Sequence, residues 1–586
     1  MRQIIIISLI FLFFGCGGDS PNIPPVEDEG SNPDVPTDIA DAGSETDATE
    51  DGETTDSADA LQDVTPEEIE TVEPCEPNPC VGAPPSDCNG DLVTNYGDEG
   101  SCTNVEGAAS CEWPVVSEVD CDDLGGFCAA GECVVEDNIY NGDLVLATTD
   151  DVVESLDYTE VIGNLIVVNT GIEELAFTKL RAVGGALTIK GNDALQTVSL
   201  PKLKTVGAHL YLEENSALTT VDLEPLQTVE GPLHIKYNPV MTGLQLSGLQ
   251  TAASHMVIQG NDALTSLEMP ALASAGGNTI VLGNTALGSI SMPSLASVVG
   301  DFLVALNSTL VSMDVQGLQQ IDGDTLVHHC PMLQSLDMPS FSQAGAEIYI
   351  YENDALQSIH LNALTGLENS LEIWSNPALT SFHADNLVAV GGLLTFWELE
   401  ALTDIGLDAL TSAVGHMYVG HCPALLQLHF PSLTEVSTEL LVEHNSQLQS
   451  VVLSAIVNAS GNLTAYNNQA VTEFSLPLLT TTEATVGISS SAVVELVFPS
   501  LESAEFLVAA NNPELVSFKV PAIQYIGAPL IVSNIKLAQC QVDAILLSVG
   551  LEEQMVFGNL QGCTCQEDPP YTPDCPATEP EPDPVP

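Results

Sequence analysis

Apolar and polar residues through the middle of this chain recur with a constant spacing of 23 positions. Anchors fall at 169, 192, 215, 238, 261, 284, 307, 330, 353, 376, 399, 422, 445, 468 and 491, and eleven of these fifteen are Asn. The others are Cys330, Leu399, Cys422 and Ser491, and two looser anchors, Asn512 and Asn534, follow. Residues five and three before an anchor are apolar, as in Leu187 and Ile189, Leu210 and Leu212, or Leu371 and Ile373. That alternation predicts a short strand with one buried face. An apolar residue stands three after the anchor (Leu195, Leu218, Leu264). Apolar residues at plus six and plus eight (Val198 and Leu200, Leu336 and Met338) predict a second short strand, often followed by Pro, as at Pro201, Pro270 and Pro339.

Stacked at about 4.8 Å per layer, roughly seventeen such coils make parallel sheets spanning about 80 Å. The fold class expected is therefore all-β dominated, a parallel β-helix solenoid over residues 138–539. The anchor Asn is expected inside a bend, its amide bonding the backbone of its own coil and the next. Short helices from Thr149 and Asp150 through Leu156, and from Val542 to Leu547, are expected to cover the solenoid ends, which otherwise invite edge-to-edge pairing.

The phrase L-x-I-x-x-N-x-x-L-x-x-L resembles a leucine-rich repeat, in which Cys can replace Asn at the ladder position. The continuation S-L-x-L-P-x-L-x-x-V-G resembles the receptor L domain of growth-factor receptor ectodomains and bacterial surface proteins. The resemblance implies a right-handed coil and names no ligand.

The flanks have different chemistry. Met1 to Cys16 reads as an export leader, with Arg2 ahead of an apolar run from Ile4 to Phe14 and Gly15 before Cys16. Gly-Cys after such a run resembles the lipobox of bacterial lipoproteins, although Phe13 stands where that family usually has Leu. The resemblance implies lipidation at Cys16, and an ordinary cleaved leader is the alternative. Residues 17–73 follow as an acidic tether; from Asp19 to Glu73 there are 19 Asp or Glu and no Lys, Arg or Cys. Such a segment buries too little apolar surface to offset chain entropy and reads as disordered. Calcium binding there would need spaced ligands, which are lacking.

Residues 74–137 hold Cys75, Cys80, Cys88, Cys102, Cys111, Cys121, Cys128 and Cys133. This density in an exported chain implies disulfides holding a module with little core, their pairing open. Zinc is disfavoured by the lack of His among them. Cys540, Cys563, Cys565 and Cys575 imply a disulfide-bonded C-terminal cap over 540–575, followed by a tail at 576–586. Cys330 and Cys422 stand four coils apart, about 19 Å at the layer spacing. A disulfide needs Cα atoms within about 7 Å, so these two are expected as free buried thiols.

Charge narrows the function classes. Asp and Glu outnumber Lys and Arg by 82 to 9, for a formal charge of −73, and no Lys or Arg lies between Lys236 and Lys519. Nucleic-acid binding and attachment to an anionic membrane surface need clustered cations. Neither is expected, and membrane contact is expected only through the N-terminal lipid. No HExxH, GxSxG, phosphate-binding loop or zinc-finger spacing occurs. A binding or structural module is expected rather than an enzyme, without cofactor or metal.

Projection of the register gives the candidate ligand-binding residues. The column two before the anchor reads His328, Tyr351, Trp374, Trp397 in successive coils, and the column four before it holds Tyr349 and Tyr418. With Glu372 and Glu398 beside them, these rings form a platform for a sugar ring or a cationic peptide, the alternative being an aromatic ladder that only stabilises the sheet. Lys179 stacks with Lys202 and Arg181 with Lys204, expected to balance Glu160, Glu173 and Glu174 or to hold an anionic envelope group. His421 with His444, near Glu443, and His360 with His383 stack one coil apart, a pattern weighed for metal. The expected whole is a lipid-anchored protein of the outer membrane or cell surface, facing periplasm or exterior, that binds an extracellular glycan or protein ligand. A passive coat and a carbohydrate-active β-helix enzyme are the rivals.

Overall fold

The computed structural model describes residues 86–89, 92–96, 101–105, 108–121, 126–129, 132–135, 137–551, 556–565 and 573–574. The expected leader, the tether, Cys75, Cys80, Cys575 and the tail lie outside them, as do the side chains of Cys102 and Cys565. Met1–Glu73 and Pro74–Pro586 are separate units.

The coils are there, and most carry three short strands where the sequence pattern predicts two; in the last coils the third strand runs on into the next first strand, as in Thr481–Ser489 and Ser503–Ala510. In the coil anchored by Asn192 the three are Leu187–Lys190, Thr197–Ser199 and Thr205–Val206. First strands pair in parallel and in register, Leu187 beside Leu210 and Ile189 beside Leu212. They build one continuous sheet from Leu144–Leu146 to Tyr525–Val532, whose two end strands each pair on one side only. The second strand runs from plus five to plus seven, and the apolar residue at plus eight is buried just past its end, as Leu200 shows. The third strands make a 14-stranded parallel sheet of their own. Inward positions fill a single core that runs the length of the stack, with Leu195, Leu218, Leu264 and Leu287 all fully buried.

The anchors form a ladder. Asn215 Oδ1 accepts the backbone N–H of Asn192 at 3.1 Å, and its Nδ2 donates to the Ile189 carbonyl at 3.0 Å. Asn238 Nδ2 also donates to the Lys236 carbonyl of its own coil at 3.1 Å. The side chain thus serves the backbone of its own coil and of the preceding one, which corrects the expectation that it serves the next. The reason is that each coil's strand carbonyl is taken by the following Asn: Ile189 by Asn215, Leu212 by Asn238. Burying these amides costs little because both ends are satisfied.

Ahead of every ladder residue the backbone turns left-handed. Glu214, Tyr237, His329, Ser375, Glu398 and His421 have φ between 50° and 56°, and Gly191, Gly260 and Gly283 fill the same place in three coils. A non-glycine residue there costs about 1 kcal/mol, so the ladder beyond must hold it. This position also corrects the first anchor. Asn169 is the left-handed residue (φ 51°), and the buried ladder position is Thr170, whose N–H and hydroxyl both reach Asn192 Oδ1 at 3.0 Å. The first coil is one residue shorter than the 23-residue coils that follow it, which shifts its register.

A second ladder stands six residues before the anchors. Asn278 Oδ1 accepts the Asp301 N–H, Asp301 Oδ1 the Asp324 N–H, and Asp324 Oδ1 the Glu347 N–H, at 3.0, 3.0 and 3.1 Å. These side chains take N–H groups at the entrance of each first strand.

Cys330 and Cys422 occupy the first ladder as expected, free and buried. Burial pushes their thiols up to about 11 and about 12. Their Sγ atoms lie 3.5 and 3.3 Å from the carbonyls of His328 and Gly420, the places where Asn would donate. Two disulfides join Cys88 to Cys128 and Cys121 to Cys133 in the N-terminal module, and Cys111, Cys540 and Cys563 are also disulfide-bonded. Helix α1 (Thr149–Ser155) starts from Thr148 rather than Thr149, with a reciprocal capping box to Asp151. Helix α2 (Gln539–Ser548) begins three residues before the expected Val542. Beyond it Asn559 ends the main ladder, accepting the Asn534 N–H at 3.1 Å and donating to the Ile531 carbonyl at 2.9 Å.

Candidate ligand-binding face

Alternation along the first strands sends the minus-four and minus-two columns outward. Their members are half-buried rather than flatly exposed, because neighbouring coils pack ring against ring. His328 stacks on Tyr351 with centroids 4.6 Å apart and planes 4° apart, and Tyr351 stacks on Trp374 at 4.1 Å and 7°. Trp397 pairs with Trp374 through the backbone, but its ring leans the other way, over Gly420, and meets His421 at 4.7 Å. The two tryptophans are therefore neighbours in register without stacking, which revises the picture of one unbroken platform. The glycine is the cause: a Cβ at Gly420 would lie 2.4 Å from the Trp397 ring.

Tyr349 stands beside Glu372 in the next coil, and Tyr418 stacks on His416 at 5.5 Å. The structure brings Tyr349, Tyr351, Trp374 and Glu372 together across two coils, with Trp397 in the third and Tyr418 in the fourth. Burial, reinforced by Glu372 and Glu347, raises the Tyr349 phenol, and burial with Glu439 pushes Tyr418 up to about 12. Burial also raises the Glu372 carboxyl, with Glu347 adding to it. Glu347 is raised chiefly by its hydrogen bond with Asp324. Carboxyls crowd this face with no Lys or Arg to relieve them, since none occurs between Lys236 and Lys519.

Two features escaped the sequence reading. The first is a shallow groove of 590 Å³ along the bend that ends the first strands, lined by Glu352, Asp354, Glu398, Glu400, His421 and His444 among others. These residues flank the ladder on either side, so the same columns were available to find it. The second is a shorter stack of His209, Tyr211 and His234, with centroids 4.0 and 4.5 Å apart. A single Tyr between two histidines gave no signal until adjacent coils placed them together.

The other sequence candidates settle into ordinary pairings. Lys179 pairs with Asp157 at 2.9 Å and Arg181 with Asp137, in place of the expected Glu160, Glu173 and Glu174. His421 and His444 stack at 4.7 Å and His360 and His383 at 5.6 Å. Among the described residues no three His, Cys, Asp or Glu are grouped so as to hold a metal ion.

No protein-family model matches this chain, and no curated protein matches it. Among the solved structures that overlap it in part are these two. A leucine-rich repeat protein from Bacteroides ovatus ATCC 8483 shares 13% identity over 63% of this chain and 93% of its own, with a TM-score of 0.27. A TLR13–ssRNA13 complex shares 12% identity over 65% and 76%, with a TM-score of 0.12. Overlaps of that quality carry no argument. The leucine-rich-repeat-like character rests on the chain's own 23-residue coils and their Asn ladder.

Proposed function

We propose that this protein is a non-enzymatic binding scaffold, carried at the cell surface on a lipid-anchored acidic stalk, whose solenoid engages an extracellular glycan or polypeptide through the outward face of its first sheet. The observation that carries the reading is the ring stack His328–Tyr351–Trp374, continued in register by Trp397. Rings stacked face to face on a rigid sheet offer apolar area already ordered before binding, so a ligand loses little of its affinity to ordering the site. The leader-like Met1 to Cys16 supports export, and the Gly15-Cys16 junction supports lipidation.

Two of only three tryptophans lie at this face, so intrinsic fluorescence of the purified full chain reports on it. Titration with glycans, peptides and envelope extracts should give a saturable shift that the Trp374→Ala, Trp397→Ala variant loses. Emission that no ligand perturbs would move a passive coat ahead of a receptor. Turnover of a polysaccharide would overturn the non-enzymatic reading.

A further inference from the structure

The outward sheet face continues beyond the rings. Ile280, Leu282, Leu303 and Leu326 stand in the same two columns, half-exposed, and lead in consecutive coils to Tyr349 and Tyr351. An apolar stripe thus runs along the stack, across the strands, into the aromatic stack. One of its borders, along the strand entrances, is acidic. Asp301, Asp324 and Glu347 stand along the strand entrances. On the bend side Gly283, Leu306 and His329 come first, and acidic residues begin only where the stripe reaches Tyr351, at the groove with Glu352, Asp354, Glu398 and Glu400. Contiguous apolar surface with one acidic rim, leading into an acidic groove, marks a partner of the opposite charge.

The groove has a finer order. Glu352 and Asp354 flank the ladder in one coil, Glu398 and Glu400 flank it two coils later, and Ser375 and Pro377 lie between. Ser375 donates to Glu398 at 2.8 Å, which holds that carboxylate over the groove. Two coils correspond to about 9.6 Å. A polyproline II segment has three residues per turn and rises about 3.1 Å per residue, so residues three apart project to the same side about 9.3 Å apart. The two acidic pairs therefore match two basic side chains in an Arg-x-x-Arg spacing. Trp397 and His421 form the adjoining wall, against which a guanidinium can stack.

Resting on the reading of the strand face as a binding surface, we propose that its ligand is a basic, extended polypeptide segment. Its apolar residues lie on the Ile280–Tyr351 stripe, and two arginines three residues apart lie in the groove at Glu352/Asp354 and Glu398/Glu400.

The test uses capped Arg-Pro-Pro-Arg-Pro-Pro, its citrulline counterpart, and the permuted Arg-Arg-Pro-Pro-Pro-Pro of equal charge, titrated into the full chain at about 0.15 M salt, where long-range attraction is screened. Saturable binding of the first peptide is expected, about tenfold weaker for citrulline and measurably weaker for the permuted sequence. The Glu398→Gln, Glu400→Gln variant should weaken it about tenfold as well. The Glu224→Gln, Glu268→Gln variant, which removes two exposed charges elsewhere on the coils, should leave it unchanged. Circular dichroism melts check that both variants stay folded. Equal binding of all three peptides, equal loss in both variants, or no saturation at about millimolar peptide overturns the proposal. A ligand lost with Trp374→Ala, Trp397→Ala but kept by Glu398→Gln, Glu400→Gln sinks this inference and leaves the strand-face reading standing.

Discussion

Trp374 and Trp397 are paired through their backbones in adjacent coils, yet one ring stacks on Tyr351 at 4.1 Å while the other lies over Gly420. The missing side chain at 420 decides this. Gly420→Leu should drive the Trp397 ring off its seat toward Trp374, at about 1–3 kcal/mol of overpacking. Near-UV circular dichroism would gain a coupled tryptophan signal. An unchanged spectrum would show that the ring's position has another origin.

Thr279 and Thr325 stand where other coils place residues such as Leu, Met, Phe or Ile five before the anchor, and both hydroxyls are buried without a partner among the described residues. An unmet buried hydroxyl costs about 1–3 kcal/mol, and Val has nearly the same shape without it. Thr279→Val and Thr325→Val should each stabilise the solenoid by about 1 kcal/mol in urea unfolding. A loss of stability in either would mean that the hydroxyl is satisfied in solution.

Cys330 and Cys422 should resist thiol reagents in the folded protein at pH 8, because burial holds both thiols protonated and out of reach. Unfolding should release both, and Cys330→Ser, Cys422→Ser should abolish that release. Rapid labelling of the native chain would contradict their place in the ladder.

His328 brings a pH dependence of known sign. Burial, with the neighbouring His329 adding to it, lowers its pKa to about 4, against about 6.5 in an unfolded chain. The unfolded state binds the proton first, so the neutral ring contributes stability above about pH 6.5 that is lost as pH falls toward 4. The groups around it are His329, whose Nδ1 lies 2.9 Å from its own, and Tyr351. His328→Phe keeps a ring on Tyr351 without the titration. Its stability relative to the parent chain should therefore rise between pH 7 and pH 5, and a pH-independent difference would count against the buried neutral ring.

Much of the architecture was legible because it repeats. A register that returns every 23 residues identifies inward positions, the ladder and the free thiols without any single residue being decisive. What was not legible lies below the reach of periodicity. The third strand, two residues long at Thr205–Val206, is too short to alternate. The second ladder accepts Asn, Asp or His at equivalent places, since any side-chain acceptor can take the N–H, so composition gave no column to see. Asn169 misled because Asn also suits the left-handed turn next to the ladder. At the candidate face the columns were readable, while ring direction depended on what Gly420 lacks.

The ladder also has a direction. Each Asn reaches back to the coil before it, so a coil emerging during synthesis leaves an inner N–H open until the following coil arrives to receive it. Completion therefore travels with translation, from amino to carboxyl end, and Asn559 closes the last gap from outside the repeats. A chain interrupted between two coils would present that open N–H at its growing end, so the molecule is finished only when its terminal cap is made.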